Sequence, residues 1–341
     1  SKLLFVKMTT TQDHYSLDSL PENVQRFYNS VIVPPDYEQN LQTIKTFAQQ
    51  CSMSRSKTIL ITSGGTMVPM EKNMVRYLDN FSGGGRGAAT AEYFLEQGYH
   101  VLFLTRKNSL QPFIRHFMTK DTTIFTYLCY DVENHCARIS DTYKSQVSHL
   151  FMKWKSFSDS GRFVTINFET VGEYLYYLRA STIELNILKQ NLIVYAAAAV
   201  SDFYIPLDQM SEHKIQSNKG GLRIELEPVP KMLKQVISLW CPQAYTISFK
   251  LETDINILDS KCINSLSTYH HQLVIGNLLS DYRNWVVFHS PLLSEPQYIR
   301  KTEQQIQDRV DIEPMIGERI KDFHAKYCAQ SPVHSTTTSN A

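Results

Sequence analysis

The chain has 341 residues, of which 43% are hydrophobic and 20% charged, and this supplies enough apolar material for a large core. Its 34 Lys and Arg residues nearly balance its 33 Asp and Glu residues, and a net charge of +1 argues against a protein that grips nucleic acid through phosphate neutralisation. No apolar run approaches 18 residues, so no transmembrane helix is predicted. We therefore expect neither nucleic acid nor a membrane as a partner.

The six cysteines stand far apart and form no Cys-x-x-Cys pair, which argues against a zinc clip or a redox pair. The N-terminus has no signal-peptide core, so we expect free thiols in a reducing compartment. The expected location is the cytoplasm, and a nuclear pool is compatible with the same chemistry. The eleven histidines include no HExxH or HxxxH pair, and no protein ligands for a metal are predicted.

The two ends of the chain differ from its middle. Residues 1–56 are predicted to form an N-terminal extension with one amphipathic helix, because four apolar residues recur at helical spacing: Leu41, Ile44, Phe47 and Cys51. The main domain is expected over 57–327. The small polar residues of 328–341 predict a disordered tail.

The main domain begins with a predicted βαβ unit. A strand is expected at 58–62, a helix after the glycine-rich segment 82–87, and a second strand at 101–104. The helix stops at Gly98, a typical C-terminal glycine. Strand, helix and strand in this order require a parallel sheet with a right-handed crossover.

The alternation of strands and helices continues along the chain. The middle section 107–190 is expected to be irregular, with one strand at 163–166 and a helix after 171. Strands are then predicted at 192–200, 245–249, 273–278 and 285–289, and helices at 231–240, 255–269 and 312–327. This rhythm predicts a doubly wound, mostly parallel, Rossmann-like α/β sheet with helices on both faces, in a single domain with peripheral additions.

Open α/β sheets bind ligands at the carboxyl ends of their strands. Here glycines, hydroxyls, amides and two carboxylates follow the predicted strands: Ser63, Gly64, Gly65, Thr66, Ser82, Ser201, Asp202, Glu252 and Asn277. We therefore expect one ligand site along this edge of the sheet.

The glycine-rich segment fits neither of two common nucleotide motifs. Its GGGxG pattern at 83–87 begins about twenty residues after the first strand, so it is not a Rossmann fingerprint, and no GK[ST] follows that would make a P-loop. A glycine-rich helix N-terminus preceded by Ser82 suits a phosphate chain. The alternative is that the glycines only permit a tight turn and close packing.

Three further features each have two interpretations. The alanines at 196–199 leave room for a ligand beside the backbone, or for a helix against the sheet. Asp202 is an acceptor at the sheet edge, or a carboxylate that caps a helix or turn. Lys214 lies in a polar loop, where a solvated surface lysine is the default.

Five motifs occur together in a fixed order. They are ITSGGT at 61–66, VRYLDNFS at 75–82, AAAVSDF at 197–203, HKIQS at 213–217 and SFKLET at 248–253. Together they resemble phosphopantothenate–cysteine ligases of the eukaryotic type, from about Lys57 to Tyr327. The resemblance implies a ligase of coenzyme A biosynthesis. Such an enzyme activates the carboxylate of 4′-phosphopantothenate with a nucleoside triphosphate, releases pyrophosphate, and couples the acyl-nucleotide to the amine of cysteine, which gives 4′-phosphopantothenoylcysteine and AMP.

The resemblance also implies roles for individual residues. Six would hold the nucleotide: Gly64, Ser82, Gly84, Gly87, Phe249 and Asn277. Four would hold the substrate and its acyl-nucleotide: Asn80, Ala198, Ala199 and Asp202. Asn80 and Lys214 would act in catalysis, Lys214 by balancing charge on the activated phosphate. Arg76 would reach the substrate phosphate in the neighbouring subunit of a homodimer, unless it pairs locally, for instance with Asp79.

Two departures distinguish the chain from bacterial members of this family. Bacterial members carry Lys-x-Lys-Lys and use CTP, whereas Lys214 is followed here by Ile215, Gln216 and Ser217. ATP with Mg²⁺ is therefore expected, and CTP is the alternative. Bacterial members are usually fused to a flavin-dependent decarboxylase, and the residues before Lys57 are too few for one, so a stand-alone ligase is expected.

Two other functions compete with the ligase. A nucleotide-dependent Rossmann oxidoreductase would need an acidic ribose-binding residue after Leu104, where Thr105-Arg106-Lys107 stands instead. A non-catalytic regulatory subunit of the same fold would have no reason to retain Asn80, Asp202 and Lys214 together. The ligase is the interpretation that the residues favour.

Overall fold

The computed structural model describes residues 16–118, 123–217 and 220–330. The strands in these residues are β1 Thr58–Ser63, β2 Met67–Pro69, β3 Tyr77–Asp79, β4 His100–Arg106, β5 Leu128–Asp131, β6 Cys136–Ile139, β7 Phe163–Phe168, β8 Leu192–Ala196, β9 Phe203–Tyr204, β10 Glu227–Pro228, β11 Tyr245–Glu252, β12 Leu273–Leu278, β13 Trp285–His289 and β14 Gln297–Arg300. The α-helices are α1 Glu22–Asn29, α2 Tyr37–Met53, α3 Gly85–Glu96, α4 Lys144–Asp159, α5 Val171–Leu185, α6 Leu233–Gln235, α7 Ile255–Tyr269, α8 Glu303–Gln307 and α9 Glu313–Gln330.

Eight of the strands form one central sheet in the order β14-β13-β12-β11-β8-β1-β4-β7. Every pairing from β12 to β7 is parallel, and β13 and β14 join antiparallel at one edge. Leu60 lies in register with Leu102 of β4 and Val194 of β8, so the buried strand β1 lies between two neighbours along its length. This confirms the predicted mostly parallel sheet.

The sheet has a hydrophobic core on each face, because successive strand side chains point to opposite sides. Leu60, Leu102 and Val194 pack with α1, α2 and α5 on one face. Ile59 and Phe103 pack with α3 and α9 on the other face. Helices therefore cover both faces, as a doubly wound fold requires.

Residues 16–56 contain two α-helices, and the prediction of a single helix is wrong. The predicted helix is present as α2, and the shorter α1 precedes it. Val24, Phe27 and Tyr28 of α1 are buried in the same core as α5, and the Tyr28 hydroxyl donates to the carbonyl of Leu175 at 3.0 Å. These three residues recur at i, i+3 and i+4, the spacing of an amphipathic helix, so the sequence carried a signal for α1 that the prediction overlooked.

The middle section is more regular than predicted. The expected strand and the helix after 171 are present as β7 and α5, but α4 and the β5–β6 hairpin were not predicted. Val147, Leu150, Phe151 and Trp154 of α4 recur at helical spacing, so its sequence carries an apolar stripe that the prediction overlooked, although none of its residues is fully buried.

Two other boundaries differ from the predictions. The strand expected over 192–200 ends at Ala196, because the backbone leaves the sheet there. Helix α9 continues to Gln330 and so includes the first residues of the predicted tail, while 331–341, like 1–15, lie outside the described residues. No described helix is both long enough and apolar enough to span a bilayer.

Candidate active site

The loop after β1 and the alanine segment after β8 are joined along the carboxyl edge of the sheet. The N–H of Ala199 donates to the Gly64 carbonyl at 2.8 Å, and the N–H of Thr66 donates back to the Ala199 carbonyl at 3.0 Å. The N–H of Ala198 donates to the Thr62 hydroxyl at 3.1 Å. The small alanine side chains thus allow two backbone segments to run side by side, and these bonds explain why β8 ends where it does.

The hairpin of β2 and β3 brings Asn80 to the same edge. The Asn80 N–H donates to the Thr66 carbonyl at 3.1 Å. A Cβ atom on Gly65 would lie only 1.6 Å from the Asn80 carbonyl oxygen, so only glycine permits this approach. The side chain of Asn80 is partly exposed beside the loop that meets Ala199.

The N-terminus of α3 is the third part of this site, beside the loop after β1 with the alanine segment, and Asn80. Gly84 is its N-cap residue, with φ of 78° in the left-handed region, and no side chain caps the helix. The first N–H groups of a helix have no acceptor within it, and they lie at the positive end of its dipole. This end of α3 can therefore bind an anion such as a phosphate chain.

The glycines of this region also have a packing role. A Cβ on Gly87 would lie 2.3 Å from the Ser63 hydroxyl oxygen, and a Cβ on Gly64 would lie 2.7 Å from Cβ of Arg106. Ser63 in turn donates to the Gly84 carbonyl at 3.0 Å. Gly87 of the glycine-rich segment, and Gly64 after β1, are thus required for close packing. This packing role does not exclude phosphate binding, because the first N–H groups of α3 stay free.

Phe249 and Asn277 lie on the strands next to this group. The Phe249 ring packs edge-on against Tyr195, with centroids 5.0 Å apart, and the guanidinium of Arg86 lies 5.7 Å from the Phe249 centroid. Asn277 is buried, and no donor in the described part of the chain reaches its Oδ1. An unpaired buried acceptor needs an explanation, and a ligand donor would supply one.

Arg86 is the residue of this site that sequence analysis overlooked. Its Nη2 donates to the Tyr282 carbonyl at 2.6 Å, and its Nη1 lies 3.4 Å from Oε1 of Glu313. Burial raises the pKa of Glu313 above its ordinary value, although the charge of Arg86 opposes this shift. Arg86 was overlooked because it lies within the GGGRG segment, where a role was predicted only for the glycines.

Asp202 is an exposed carboxylate. Its side chain pairs with Lys231 at 2.5 Å, while its carbonyl accepts from the N–H of Val229 at 2.8 Å. Exposed ion pairs contribute little stability, so a ligand can replace Lys231 at small cost.

Arg76 and Lys214 form a second group around the tip of the β2–β3 hairpin. Nη1 of Arg76 lies 3.1 Å from Oε1 of Glu71, and both Nη atoms donate to the Ile215 carbonyl at 3.0 Å. Asp79 pairs instead with Arg106, at 2.6 Å. Arg76 therefore pairs within its own chain, but not with the residue that the sequence suggested.

The described residues contain no cluster of three His, Cys, Asp or Glu side chains that could hold a metal ion. Mg²⁺ commonly binds through substrate phosphates, water and one or two carboxylates, without a cage of protein ligands. The exposed carboxylate of Asp202 is a donor of that kind.

The chain resembles known proteins over most of its length. The family model of the DNA/pantothenate metabolism flavoprotein C-terminal domain matches residues 54–124 and 180–290. Phosphopantothenate–cysteine ligase CAB2 of Saccharomyces cerevisiae is 35% identical, over 92% of this chain and 89% of that protein. The chain belongs to the phosphopantothenate–cysteine ligase family. The Homo sapiens ligase is likewise 35% identical, over 86% of this chain and 94% of its own length.

Solved structures agree with this membership. A variant of Cab2 in complex with phosphopantothenate-cysteine is 36% identical and superposes with a TM-score of 0.82, covering 89% of this chain and 98% of that one. A flavoprotein of DNA/pantothenate metabolism from Streptococcus pneumoniae, at 18% identity and a TM-score of 0.54, shares the fold. The ligase of coenzyme A biosynthesis is thus the predicted function that these comparisons support.

Proposed function

We propose that this chain joins 4′-phosphopantothenate to L-cysteine at the expense of ATP. The observation that carries the proposal is the convergence of the uncapped α3 N-terminus, Asn80 and the Ala198–Ala199 backbone on one edge of the sheet, in a member of this family. This edge offers N–H groups and a positive dipole for a triphosphate, and an amide beside it for the acyl group.

The reaction has two steps. An oxygen of the substrate carboxylate attacks the α-phosphorus of ATP, and the bond to pyrophosphate breaks. The amine of cysteine then attacks the acyl carbon, AMP leaves with the former carboxylate oxygen, and the amine loses a proton. Both steps build negative charge on phosphate oxygens, which fixed N–H donors and the Lys214 ammonium stabilise. Phe249 and Asn277 are proposed to hold the nucleotide, together with Gly64, Ser82, Gly84 and Gly87.

Mg²⁺ is proposed to enter with the triphosphate. When bound, it would neutralise phosphate charge and orient the leaving pyrophosphate. The location in the cytoplasm stays a prediction.

The homodimer is proposed on the basis of an exposed apolar surface around the hairpins β2–β3 and β9–β10, which contact each other. Phe81, between Asn80 and Ser82, has 94% of its surface exposed. Six further large apolar residues of this region are exposed: Tyr77, Leu78, Phe203, Leu222, Ile224 and Leu226. Such a patch is typical of a protein interface, and a second copy of the chain is the proposed partner. Arg76 lies at the tip of the same hairpin, and its side chain keeps 35% of its surface exposed despite its bonds to Glu71 and Ile215, so that exposed part is proposed to meet the second copy.

The test is release of labelled pyrophosphate from γ-labelled ATP and CTP, measured side by side. We expect release only when phosphopantothenate is present, and faster release with ATP. Release without phosphopantothenate, or none with either nucleotide, would contradict the proposal. Hydride transfer to or from a nicotinamide cofactor would instead support the oxidoreductase.

A further inference from the structure

A buried carboxylate lies at the tip of the β2–β3 hairpin. The side chain of Glu71 has 0% of its surface exposed, whereas Glu212, on the segment that runs beside it, has 60% exposed. A carboxylate this buried must be compensated by donors or by opposite charge.

Glu71 receives such donors from two separate loops. Its Oε2 accepts from the N–H groups of Arg76 at 3.0 Å and Val75 at 3.3 Å. Its Oε1 accepts from Nη1 of Arg76 at 3.1 Å and from the N–H of Ile215 at 3.3 Å. Burial raises the pKa of Glu71, but these backbone donors and the Arg76 charge outweigh it and hold the pKa below its ordinary value.

The residue Ile215 is held on both sides. Its N–H donates to Glu71, and its carbonyl accepts from both terminal nitrogens of Arg76 at 3.0 Å. Residues 72 and 73 add two backbone bonds to the same segment, from Lys72 to Ser211 at 2.9 Å and from Asn73 to Glu212 at 3.1 Å. We call Glu71, Arg76 and Ile215 the hairpin clamp.

Lys214 directly precedes the clamped residue. Its own side chain and those of His213 and Gln216 are exposed, whereas the half-buried side chain of Ile215 packs against the core. The clamp therefore limits where the lysine backbone can move, while the long side chain stays free to reach a ligand.

We propose that Glu71 is a positioning residue for Lys214: with Arg76 it holds Ile215 so that the Lys214 ammonium is presented to the activated phosphate. The proposal rests on the function proposed above. Glu71 itself does not touch substrate, since its carboxylate is enclosed. Loss of Glu71 would also disturb Arg76, the proposed ligand of the substrate phosphate in the neighbouring subunit. Weaker ground-state binding through Arg76 raises KM, whereas a misplaced Lys214 lowers kcat.

The test combines kinetics with amide exchange on the full chain. Glu71→Gln should lower kcat by about 10- to 100-fold, the range expected for a misplaced catalytic group. The matched control Glu212→Gln removes an exposed carboxylate of the same segment, whose surface ion pair with Lys72 at 3.2 Å contributes little stability, and it should leave kcat unchanged. Because Glu71 acts through Lys214, adding Glu71→Gln to Lys214→Gln should lower kcat by no more than about twofold further.

Hydrogen exchange supplies a readout besides activity. Peptides covering 211–217 should exchange faster in Glu71→Gln and at the wild-type rate in Glu212→Gln. If Glu71→Gln does not fold, Glu71→Asp serves in its place, because it keeps the charge but shortens the reach to Ile215.

Three results would overturn the proposal. They are unchanged exchange over 211–217, faster exchange with wild-type kcat, and losses of kcat that multiply in the double variant. A wild-type chain that forms no product would refute the proposed function instead, and the exchange comparison would then still decide whether Glu71 holds the loop.

Discussion

Gly87 offers a stringent test of how α3 is seated against β1. In Gly87→Ala, the new Cβ would lie 2.3 Å from Oγ and 2.5 Å from Cβ of Ser63, well inside van der Waals contact. Ser63 belongs to a buried strand and cannot retreat without breaking its 3.0 Å bond to the Gly84 carbonyl.

The expected magnitude follows from three contributions. Overpacking a core costs about 1–3 kcal/mol. Loss of the Ser63 hydrogen bond adds about 0.5–1.5 kcal/mol. Alanine is the better helix former by about 1 kcal/mol, which opposes both. We expect a net loss of about 0.5–3.5 kcal/mol in the free energy of unfolding, and slower turnover because the N-terminus of α3 moves.

Gly85→Ala is the matched control. A Cβ there would meet only Cδ1 of Leu110, at 3.7 Å, which is ordinary contact. Denaturant unfolding of the two variants should therefore separate them, with Gly85→Ala at least as stable as the wild type. If Gly87→Ala unfolds at the wild-type midpoint, the tight approach of α3 to Ser63 is not a constraint and the reasoning is refuted.

Four other expectations concern the site, the dimer and a buried histidine. Asn80→Ala should lower kcat by about 10²–10³, the usual loss for one oriented donor, with an unchanged melting temperature, and near wild-type turnover would remove Asn80 from the site. Equal mixtures of Arg76→Ala and Asn80→Ala homodimers should recover at most about a quarter of wild-type activity after subunit exchange, since half the dimers then hold one site of two with both residues. Loss of the Arg76 contact to Ile215 in its own chain lowers this yield. No gain over the unmixed homodimers, with exchange confirmed by mass spectrometry, would exclude the shared site. Phe81→Asp should shift the chain from dimer to monomer in sedimentation, and an unchanged mass would exclude this surface. Burial lowers the pKa of His271 from 6.5 to about 4, so the unfolded chain binds the proton more tightly than the folded chain. The free energy of unfolding should therefore fall as the pH drops from 6.5 towards 4. His271→Gln should flatten this pH dependence, and an unchanged dependence would show that other groups cause it.

Seven of the eight strands of the central sheet were predictable because they are short apolar runs bounded by turns, whereas β14, whose residues are half-buried or exposed, was not predicted. The segment 273–278 and the helix 255–269 were predicted with the bounds that the structure gives to β12 and α7. Their signals are local, in that burial and periodicity can be read within each segment. By contrast, β2, β3, β9 and β10 have two or three residues each, too few for any pattern, and their pairing depends on distant partners.

The site was predictable only where residue type and position coincide. The resemblance to the family placed Asn80, Ala198 and Ala199 in one site, and hydrogen bonds of their backbones to β1 and the loop after it bring them to one edge of the sheet. Glu71 gave no signal, because its partner Ile215 lies 144 residues further along the chain and no motif spans that distance. A buried charge that is compensated by donors from a distant segment cannot be predicted from either segment alone, because the contact exists only in the folded chain.

The packing of the N-terminal helices has a consequence for synthesis on the ribosome. Phe27, Ile44 and Phe47 are buried with residues of α5, which begins roughly 120 residues after α2 ends. At about 5–20 residues per second, these apolar faces emerge some 6–24 s before the helix that covers them is made. During that interval the nascent chain presents two uncovered amphipathic helices to its surroundings. The helices made first are therefore fully covered only after half of the chain has been synthesised, and this segment is where aggregation or chaperone capture of the growing chain should begin.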